Sequence, residues 1–467
     1  MRKGPYVKEA QGDGGFKITR THHMAEANAA VAEKGVAPSG VQPETLRRKS
    51  LRHNYRCAVT DGVLAYVSSG MVPPFISIMA LSYGASGVGI SLLNLLPSLI
   101  NMLLFLPFAS IAERSGSVKR MVISSGYLTR SAFLAMALVP FLPWPWKATA
   151  LIALNALQAI PAVIYMIVWT DRMGGAFPQG EWGAVFSKRN AAANFASVVG
   201  TLLAGLLIDW LPGESGYIAI FAISGATGIM SIFALQRMKE VPGPQMKPRR
   251  ISVFKRLSMP FRDRELGRSF TYFSLGLFLY NLGIYMAAPA FSLFYVKVLD
   301  LSKSTISLLI TTGTLLVVVA SPFWGRISRK YGNAIVFAYS TIWQALFPYF
   351  YYLSGKSLPM MFVWQAILGF GVAGYNLSLF NLGLEYVEES ERKNGIAVTN
   401  TVIFSAAAIG SLIAGPLTEV YGVGNAMLAS TLVRISGWAS FLAVFQPYRA
   451  VVKVLSRFES KQIKNGD

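Results

Sequence analysis

The chain has 467 residues, of which 53% are apolar and only 14% are charged, whereas a soluble domain carries about 25% charged residues. Its net charge of +21 would suit a nucleic-acid-binding protein, but the basic residues lie in short loops between apolar runs, which excludes that class. A single cysteine, Cys57, excludes an internal disulfide framework and a multi-cysteine metal site. The first apolar run starts only near Cys57, so we expect no cleaved signal peptide.

The apolar residues come in runs of roughly 20, the length that a helix needs to cross a hydrocarbon core. Inside lipid, each segment must satisfy its own backbone hydrogen bonds, and continuously apolar runs do so as helices rather than strands. The sequence therefore predicts an all-α membrane protein of twelve transmembrane helices, at 57–81, 88–111, 121–142, 148–169, 190–211, 217–236, 270–296, 304–324, 334–353, 359–382, 396–418 and 425–446.

The basic residues are distributed unevenly between the two sides of these predicted spans. Of the 43 Lys and Arg residues, four lie in one set of alternate loops, namely Lys147, Lys297, Lys303 and Lys356. Two more, Arg130 and Arg434, lie within spans, and the remaining 37 lie in the tails and loops of the other side. Because basic loops stay in the cytoplasm, we expect a multi-pass protein of the plasma (inner) membrane with both termini cytoplasmic.

The predicted spans divide the chain into five parts. These are a cytoplasmic basic tail, an N-terminal six-helix bundle, a cytoplasmic linker loop, a C-terminal six-helix bundle and a second cytoplasmic tail, at 1–55, 56–236, 237–269, 270–446 and 447–467. The basic end of the first tail is either a positive-inside anchor or a site for anionic lipid. The linker alternates apolar and basic residues, so it is either an interfacial helix or a solvated connection.

The two predicted bundles are related by an internal repeat. A shift of 216 places residues 109–116 on 325–332 and Pro73 on Pro289. A shift of 210 places 200–205 on 410–415 and pairs Asp209 with Glu419. Matched glycines and charges at matched positions indicate two halves in the same orientation. The small residues of the repeated segments, Gly200, Ala204, Gly205, Gly410, Ala414 and Gly415, predict close helix contacts.

The loop after the second span carries Ala109, Glu113, Arg114, Gly116, Lys119 and Arg120, and a degenerate copy carries Gly325, Arg329, Lys330 and Gly332. This doubled motif resembles that of the major facilitator superfamily (MFS), and the resemblance extends over about residues 56–446. It implies the MFS fold and a transporter. The chain departs from the family pattern where Ala109 replaces the first glycine and Arg329 replaces the acidic residue of the second copy.

The resemblance also implies roles in gating. Glu113 would cap a helix of the opposite half and stabilise one state of the transporter. Asp171 and Glu385 would form a cytoplasmic charge network with Arg114 and Lys330. The alternative is that these are solvated loop charges worth about 0–1 kcal/mol per pair. The fifth span lacks the Gly-Pro signature of drug antiporters, which disfavours that subgroup.

In this fold, the first and fourth helices of each half line the transport cavity. By resemblance, the candidate lining residues are polar or aromatic, namely Tyr66, Asn155, Gln158, Tyr165, Tyr280, Asn281, Tyr285, Gln365, Tyr375 and Asn376. Polar side chains are costly in lipid and should face the protein interior. The alternative is that some of them join helices to one another. Their chemistry indicates a polar or aromatic-stacking organic solute.

Asp61, Arg130 and Arg434 lie within predicted spans and could carry mechanism. A carboxyl group in a medium of low dielectric binds a proton more readily, so Asp61 is the candidate for proton coupling. The alternative is an interfacial Asp61 paired with Arg56. Arg130 and Arg434 are intramembrane charges, which point to function by default, but their helices are usually peripheral in this fold, which favours structural pairing.

No motif indicates an enzyme, a cofactor or a metal site. There is no P-loop, and the three histidines, His22, His23 and His53, precede the first predicted span. The sequence predicts a monomeric secondary active transporter that moves a small organic solute by alternating access, coupled to protons as a symporter or antiporter. Its partners would be the lipid bilayer, the solute and protons, and not nucleic acid. The alternatives are a drug or metabolite exporter, a lipid flippase, and a non-transporting receptor or assembly factor.

Overall fold

The computed structural model describes residues 44–114, 117–178, 181–239, 258–261, 266–355, 357–385, 387 and 392–445. Residues 51–467 form one compact unit, and residues 1–50 form another of which only 44–50 are described. The tails predicted to be cytoplasmic and the predicted interfacial helix of the linker lie largely outside the described residues.

Regular structure in the described ranges is helical throughout. We number the helices α1 to α13 as follows: α1 Glu44–Met71, α2 Pro73–Ser82, α3 Gly87–Arg114, α4 Val118–Met136, α5 Trp144–Gly175, α6 Trp182–Trp210, α7 Ser215–Gln236, α8 Leu266–Met286, α9 Ala288–Leu293, α10 Lys303–Tyr331, α11 Asn333–Leu353, α12 Leu358–Glu385 and α13 Arg392–Phe445.

Ten helical segments among the described residues are long and apolar enough to cross a bilayer. The last, Asn394–Leu442, has 49 residues, which at 1.5 Å per residue is more than twice a hydrocarbon core of about 30 Å. Its backbone leaves the helical region at Gly422, where φ is +82°. Helix α11 has 21 residues and is not among the ten. The prediction of an all-helical membrane protein is confirmed, with ten candidate spans where the sequence predicted twelve.

Prolines interrupt the first helix of each half at matching positions. Helix α1 ends at Met71, two residues before Pro73, and α8 ends at Met286, three residues before Pro289. A proline lacks the N–H that a continuing helix would use, so the helix breaks at this point. The second interruption is followed by a π-helical turn at Phe294–Val298, in which the Leu299 N–H bonds to the Phe294 carbonyl oxygen.

The same helix pairs pack together in each half. Helix α3 contacts α5, α4 contacts α5, and α4 contacts α7. In the second half α10 contacts α12, α11 contacts α12, and α11 contacts α13. These are the pairs that the sequence offsets relate, so the internal repeat is also a repeat of helix packing.

Glycines allow the closest helix contacts, as the sequence predicted. A Cβ atom on Gly200 would lie 2.6 Å from the Val67 carbonyl oxygen, and one on Gly410 would lie 2.6 Å from that of Leu282. These two contacts join α6 to α1 in the first half and α13 to α8 in the second half. Helices α10 and α12 also cross closely, because a Cβ atom on Gly369 would overlap the Gly313 carbonyl oxygen.

Gly369→Ala should lower the thermal unfolding midpoint of the protein purified in detergent. The added methyl group would strike the backbone of α10, and overpacking of this kind costs about 1–3 kcal/mol. The matched control is Gly175→Ala, at the last residue of α5, where nothing lies within 4 Å of the added atom. An equal midpoint for the two variants would show that α10 and α12 are not tightly packed here.

Candidate functional site

Among the described residues, two pairs of long helices make the main contacts between the two halves, and α9 makes smaller contacts with α2 and α3. Helix α6 packs on α10, and α3 packs on α13. A Cβ atom on Gly205 would meet Ser307 and the Lys303 carbonyl oxygen, and one on Gly415 would lie 2.8 Å from Ser91 Oγ. The shift of 210 relates the two glycines and the shift of 216 relates the two serines. The two junctions are therefore repeats of each other with the halves exchanged.

A carboxylate accompanies each of these glycine contacts. Asp209 on α6 accepts hydrogen bonds from the Lys303 N–H at 3.0 Å and the Ser304 N–H at 2.7 Å. Glu419 on α13 accepts one from the Val88 N–H at 3.0 Å. The first N–H groups of a helix have no partner within the helix and carry its positive end. Each carboxylate thus caps a helix of the other half. We call these two contacts the distal caps, and the end of the bundle that holds them the distal end.

The exposure of the residues along α6 and α13 supports this equivalence. Residues 201–210 and 411–420 have the same burial class at nine of ten positions. A third carboxylate at this end behaves differently, because Glu214 pairs with Lys147 at 2.7 Å and both belong to the first half. It supplies a natural comparison for the distal caps, since it does not join the halves.

A cavity of ≈ 390 Å³ lies mainly among the helices of the second half. Ligand sites for small molecules typically start at about 300 Å³. None of the described residues that line it is charged; they are Asn194, Phe291, Tyr295, Ile310, Gly313, Thr314, Val317, Phe347, Gln365, Leu368, Gly369, Val372 and Asn376. Among these described residues, Asn194 on α6 comes from the first half.

Aromatic rings and one amide form a wall of this cavity. The rings of Phe291 and Phe347 are stacked, with centroids 5.5 Å apart and an angle of 28° between their planes. Gln365 donates from Nε2 to the Tyr295 hydroxyl at 3.1 Å and to the Tyr351 hydroxyl at 3.4 Å. The π-helical turn carries Tyr295, so the local irregularity of the backbone positions a cavity residue.

Of the ten predicted cavity residues, Gln365 and Asn376 are among the described residues that line this cavity. Several others join helices. The Tyr280 hydroxyl donates to the Thr341 carbonyl oxygen at 2.8 Å, and Asn281 exchanges hydrogen bonds with Tyr375 at 3.1 and 3.2 Å. Asn155 donates to the Leu93 carbonyl oxygen at 2.8 Å. For these four residues the contacts match the alternative of helix joining.

The remaining four predicted residues are dispersed. Tyr66 and Tyr165 lie beside arginine side chains, with centroids 6.0 Å from the guanidinium carbons of Arg189 and Arg130. Tyr285 packs on Gly410, and Gln158 is half-buried on α5. Sequence analysis missed Phe291, Tyr295, Phe347 and Asn194. Apolar and aromatic residues are common in every span, and Asn194 lies on α6, which was not among the helices expected to line the cavity.

Asp61 is fully buried and forms an ion pair. Its Oδ2 atom lies 3.0 Å from Nη2 of Arg189, which is also buried, and 3.4 Å from Nε1 of Trp169. The guanidinium group lies over the Trp169 ring, 4.5 Å from its centroid. The sequence-based alternative paired Asp61 with Arg56; the structure pairs it with Arg189, a residue expected in a loop. Within the described part of the chain, Asp61 Oδ1 has no hydrogen-bond partner.

The two intramembrane arginines contact helix backbones and rings. Arg434 donates from Nη1 to the Gln344 carbonyl oxygen at 2.9 Å, and it packs on Gly283. Arg130 packs on Gly228, beside Tyr165. These contacts favour structural pairing for both.

Only some of the residues predicted to act in gating are among the described residues. The side chains of Glu113 and Arg114 and all of Gly116 lie outside the described residues. Asp171, Arg329 and Lys330 are exposed. Glu385 accepts a hydrogen bond from the Asn333 amide. Gly332 ends α10 with φ of +91°, a conformation that favours glycine, and Gly325 lies one turn of helix before Arg329. The proposed charge network therefore stays a prediction.

The buried ion pair should be sensitive to loss of either partner. Arg189→Met leaves the Asp61 carboxylate buried without a counter-charge, and breaking such a pair typically costs about 3–5 kcal/mol. We expect a large fall in the thermal unfolding midpoint, and a smaller fall in the double variant Asp61→Asn, Arg189→Met. A double variant less stable than either single variant would show that the two side chains do not act as a pair.

Comparison with known proteins agrees with this architecture. A family model described as Major Facilitator Superfamily matches residues 62–277 and again 273–463. A mutant of the nucleoside transporter NupG is 13% identical over 84% of this chain and 100% of its own, with a TM-score of 0.64. A bacterial homolog of the human lysosomal transporter Spinster is 15% identical over 89% of this chain and 99% of its own, with a TM-score of 0.62.

A POT family transporter in complex with 5-aminolevulinic acid is 13% identical over 85% of this chain and 96% of its own, with a TM-score of 0.63. At these identities the likeness shows the fold alone. No curated protein sequence matches the chain. The family model, however, covers most of both halves, and so the chain belongs to the Major Facilitator Superfamily.

Proposed function

We propose that this protein is a secondary active transporter that moves a small organic solute by alternating access. Family membership supports membrane transport in general. The observation that carries the finer proposal is the pair of distal caps, in which each half supplies one carboxylate to a helix of the other half. Contacts repeated in this way hold the halves together at one end, as a transporter that opens at the other end requires.

The proposal includes twelve spans in two six-helix bundles, at 56–236 and 270–446. Dividing α13 at Gly422 gives two spans in place of one, and α11 adds another to the ten candidates. The distribution of basic loops supports cytoplasmic termini and a distal end on the outside. The plasma (inner) membrane is the proposed location.

The energetics suit a gate that opens and closes. A carboxylate near an exposed helix N-terminus typically contributes about 0.3–1 kcal/mol. Two such contacts, together with glycine packing, favour the closed distal end by an amount that solute binding can overcome.

Removal of both distal caps should open the distal end more often. We would place a reporter thiol in the cavity with Asn376→Cys in a Cys57→Ala background, and label it with a membrane-impermeant maleimide in oriented vesicles. Adding Asp209→Asn and Glu419→Gln should raise the labelling rate from the distal side about threefold or more, because about 0.3–1 kcal/mol is lost at each cap.

The control for this experiment is Glu214→Gln, which removes a carboxylate at the same end without affecting the contact between the halves. It should leave the distal labelling rate unchanged. Labelling from one side only, in the parent and in all variants, would contradict alternating access and favour a receptor or assembly factor that does not transport.

Proton coupling at Asp61 is the finer mechanistic proposal. Its Oδ2 atom accepts hydrogen bonds from Arg189 and Trp169. Its Oδ1 atom has no described partner and can accept a proton while Oδ2 keeps these two hydrogen bonds. Protonation would weaken the pair with Arg189, so solute-driven changes in the first half and proton binding would influence each other.

Asp61→Asn should abolish uphill, pH-driven uptake in liposomes while solute exchange continues. Asparagine keeps the shape of the side chain but binds no proton. Because it also leaves Arg189 without its counter-charge, both activities are measured below the unfolding midpoint of the variant. The solute would be chosen from a metabolite panel by thermal shift of the purified protein. Glu214→Gln, at another acid of the same half, is the control and should keep both activities. Uphill uptake that persists in Asp61→Asn would place the proton elsewhere.

A further inference from the structure

The cavity of the second half has a definite chemical character. Its described lining combines stacked rings, three side-chain amides and one threonine hydroxyl with aliphatic residues, and it contains no charged side chain. A charged solute pays a large desolvation cost in such a site unless a counter-charge is present. The described buried ion pair, Asp61 with Arg189, neutralises itself and offers no net charge to a solute.

Two of the cavity amides have unused hydrogen-bonding capacity. Asn376, on α12, is exposed within the described structure, and Asn194, on α6, is half-buried. Neither forms a side-chain hydrogen bond to another described residue, whereas Asn155, Asn281 and Asn381 all do. Each free amide offers two donors and one acceptor. The two residues come from opposite halves of the chain, so a solute that bonds to both would connect the halves.

Gln365 is positioned differently from these two. Its Nε2 atom is held by the hydroxyls of Tyr295 and Tyr351, which leaves its carbonyl oxygen as an oriented acceptor. The rings of Phe291 and Phe347 lie in the same lining, and offset stacking is the preferred contact between flat π-systems. The cavity therefore combines a flat aromatic wall with donors and acceptors of amide type.

We propose, building on the transport function above, that this cavity binds an uncharged planar solute with an amide-like edge, such as a pyrimidine base or a heterocyclic carboxamide. The edge pairs with Asn194, Gln365 and Asn376, and the ring packs against Phe291 and Phe347. A purely apolar solute would leave the amides unpaired, and sites built to bond polar groups reject such analogues.

The test compares neutral probes with carboxylate relatives that keep the same ring. Binding of uracil and nicotinamide to the full-length protein in nanodiscs would be measured by thermal shift and calorimetry, beside their carboxylate counterparts orotate and nicotinate. We expect saturable binding of at least one neutral probe and at least about tenfold weaker binding of its counterpart, the equivalent of about 1.4 kcal/mol. Equal or tighter binding of the carboxylate, or no saturable binding of either neutral probe, would overturn the proposal.

Two substitutions locate the binding site. Asn376→Leu and Asn194→Leu, one from each half, should each weaken binding of the neutral probe by about threefold to tenfold, as expected for one lost hydrogen bond. Asn425→Leu is the control, since that amide bonds to the Tyr421 carbonyl oxygen across the break at Gly422 and lies outside the described cavity lining. Unchanged binding in both cavity variants would contradict the assignment, and the unfolding midpoint of each free variant checks that it is folded.

The ligand class and the transport function can fail separately. Labelling of Asn376→Cys from both sides of the membrane, together with no binding of the neutral probes, would reject the ligand class and leave the transporter. Labelling from one side only, with binding of a neutral probe, would reject alternating access and leave a solute-binding receptor.

Discussion

Helices in hydrocarbon are not pressed together by the hydrophobic effect, because lipid tails are as apolar as the side chains they would replace. This chain depends instead on close backbone approach at small residues and on a few directed polar contacts. Gly200 brings α6 against α1, and Gly410 brings α13 against α8. Gly369 brings α12 against α10. The carboxylate contacts between the halves are added where helices begin, since the first N–H groups of a helix are free to donate to a partner outside it.

Duplication explains why these contacts occur in pairs. Asp209 and Glu419 occupy equivalent positions, and so do Ser91 and Ser307. The two serines are identical, whereas the two carboxylates belong to different residue types. What the halves preserve is the function of each position: a carboxylate that reaches a helix end, a small residue at a crossing, a proline that ends the first helix. The halves differ in the cavity, whose aromatic wall belongs mainly to the second half.

Much of the fold was predictable because its signals are strong and local. Long apolar runs, basic loops and matched glycines each have one physical explanation, and the repeat offsets relate helix pairs that do pack alike. The site was harder to predict. Tyr280, Asn281 and Tyr375 have the right composition for a cavity but satisfy one another or the backbone. Phe291 and Phe347 gave no signal, because an aromatic ring in a span is ordinary. Arg189 was assigned to a loop, since its burial depends on a partner 128 residues earlier.

The reciprocity of the distal caps has a consequence for how the end opens. If the halves rock symmetrically against each other about the central site, the distance from Asp209 to α10 and the distance from Glu419 to α3 increase in the same movement. Neither contact can be released ahead of the other, so their contributions are lost at a single point along the motion. Such a junction behaves as a threshold: small fluctuations leave both contacts intact, and a state with only one of them open is not a stable intermediate.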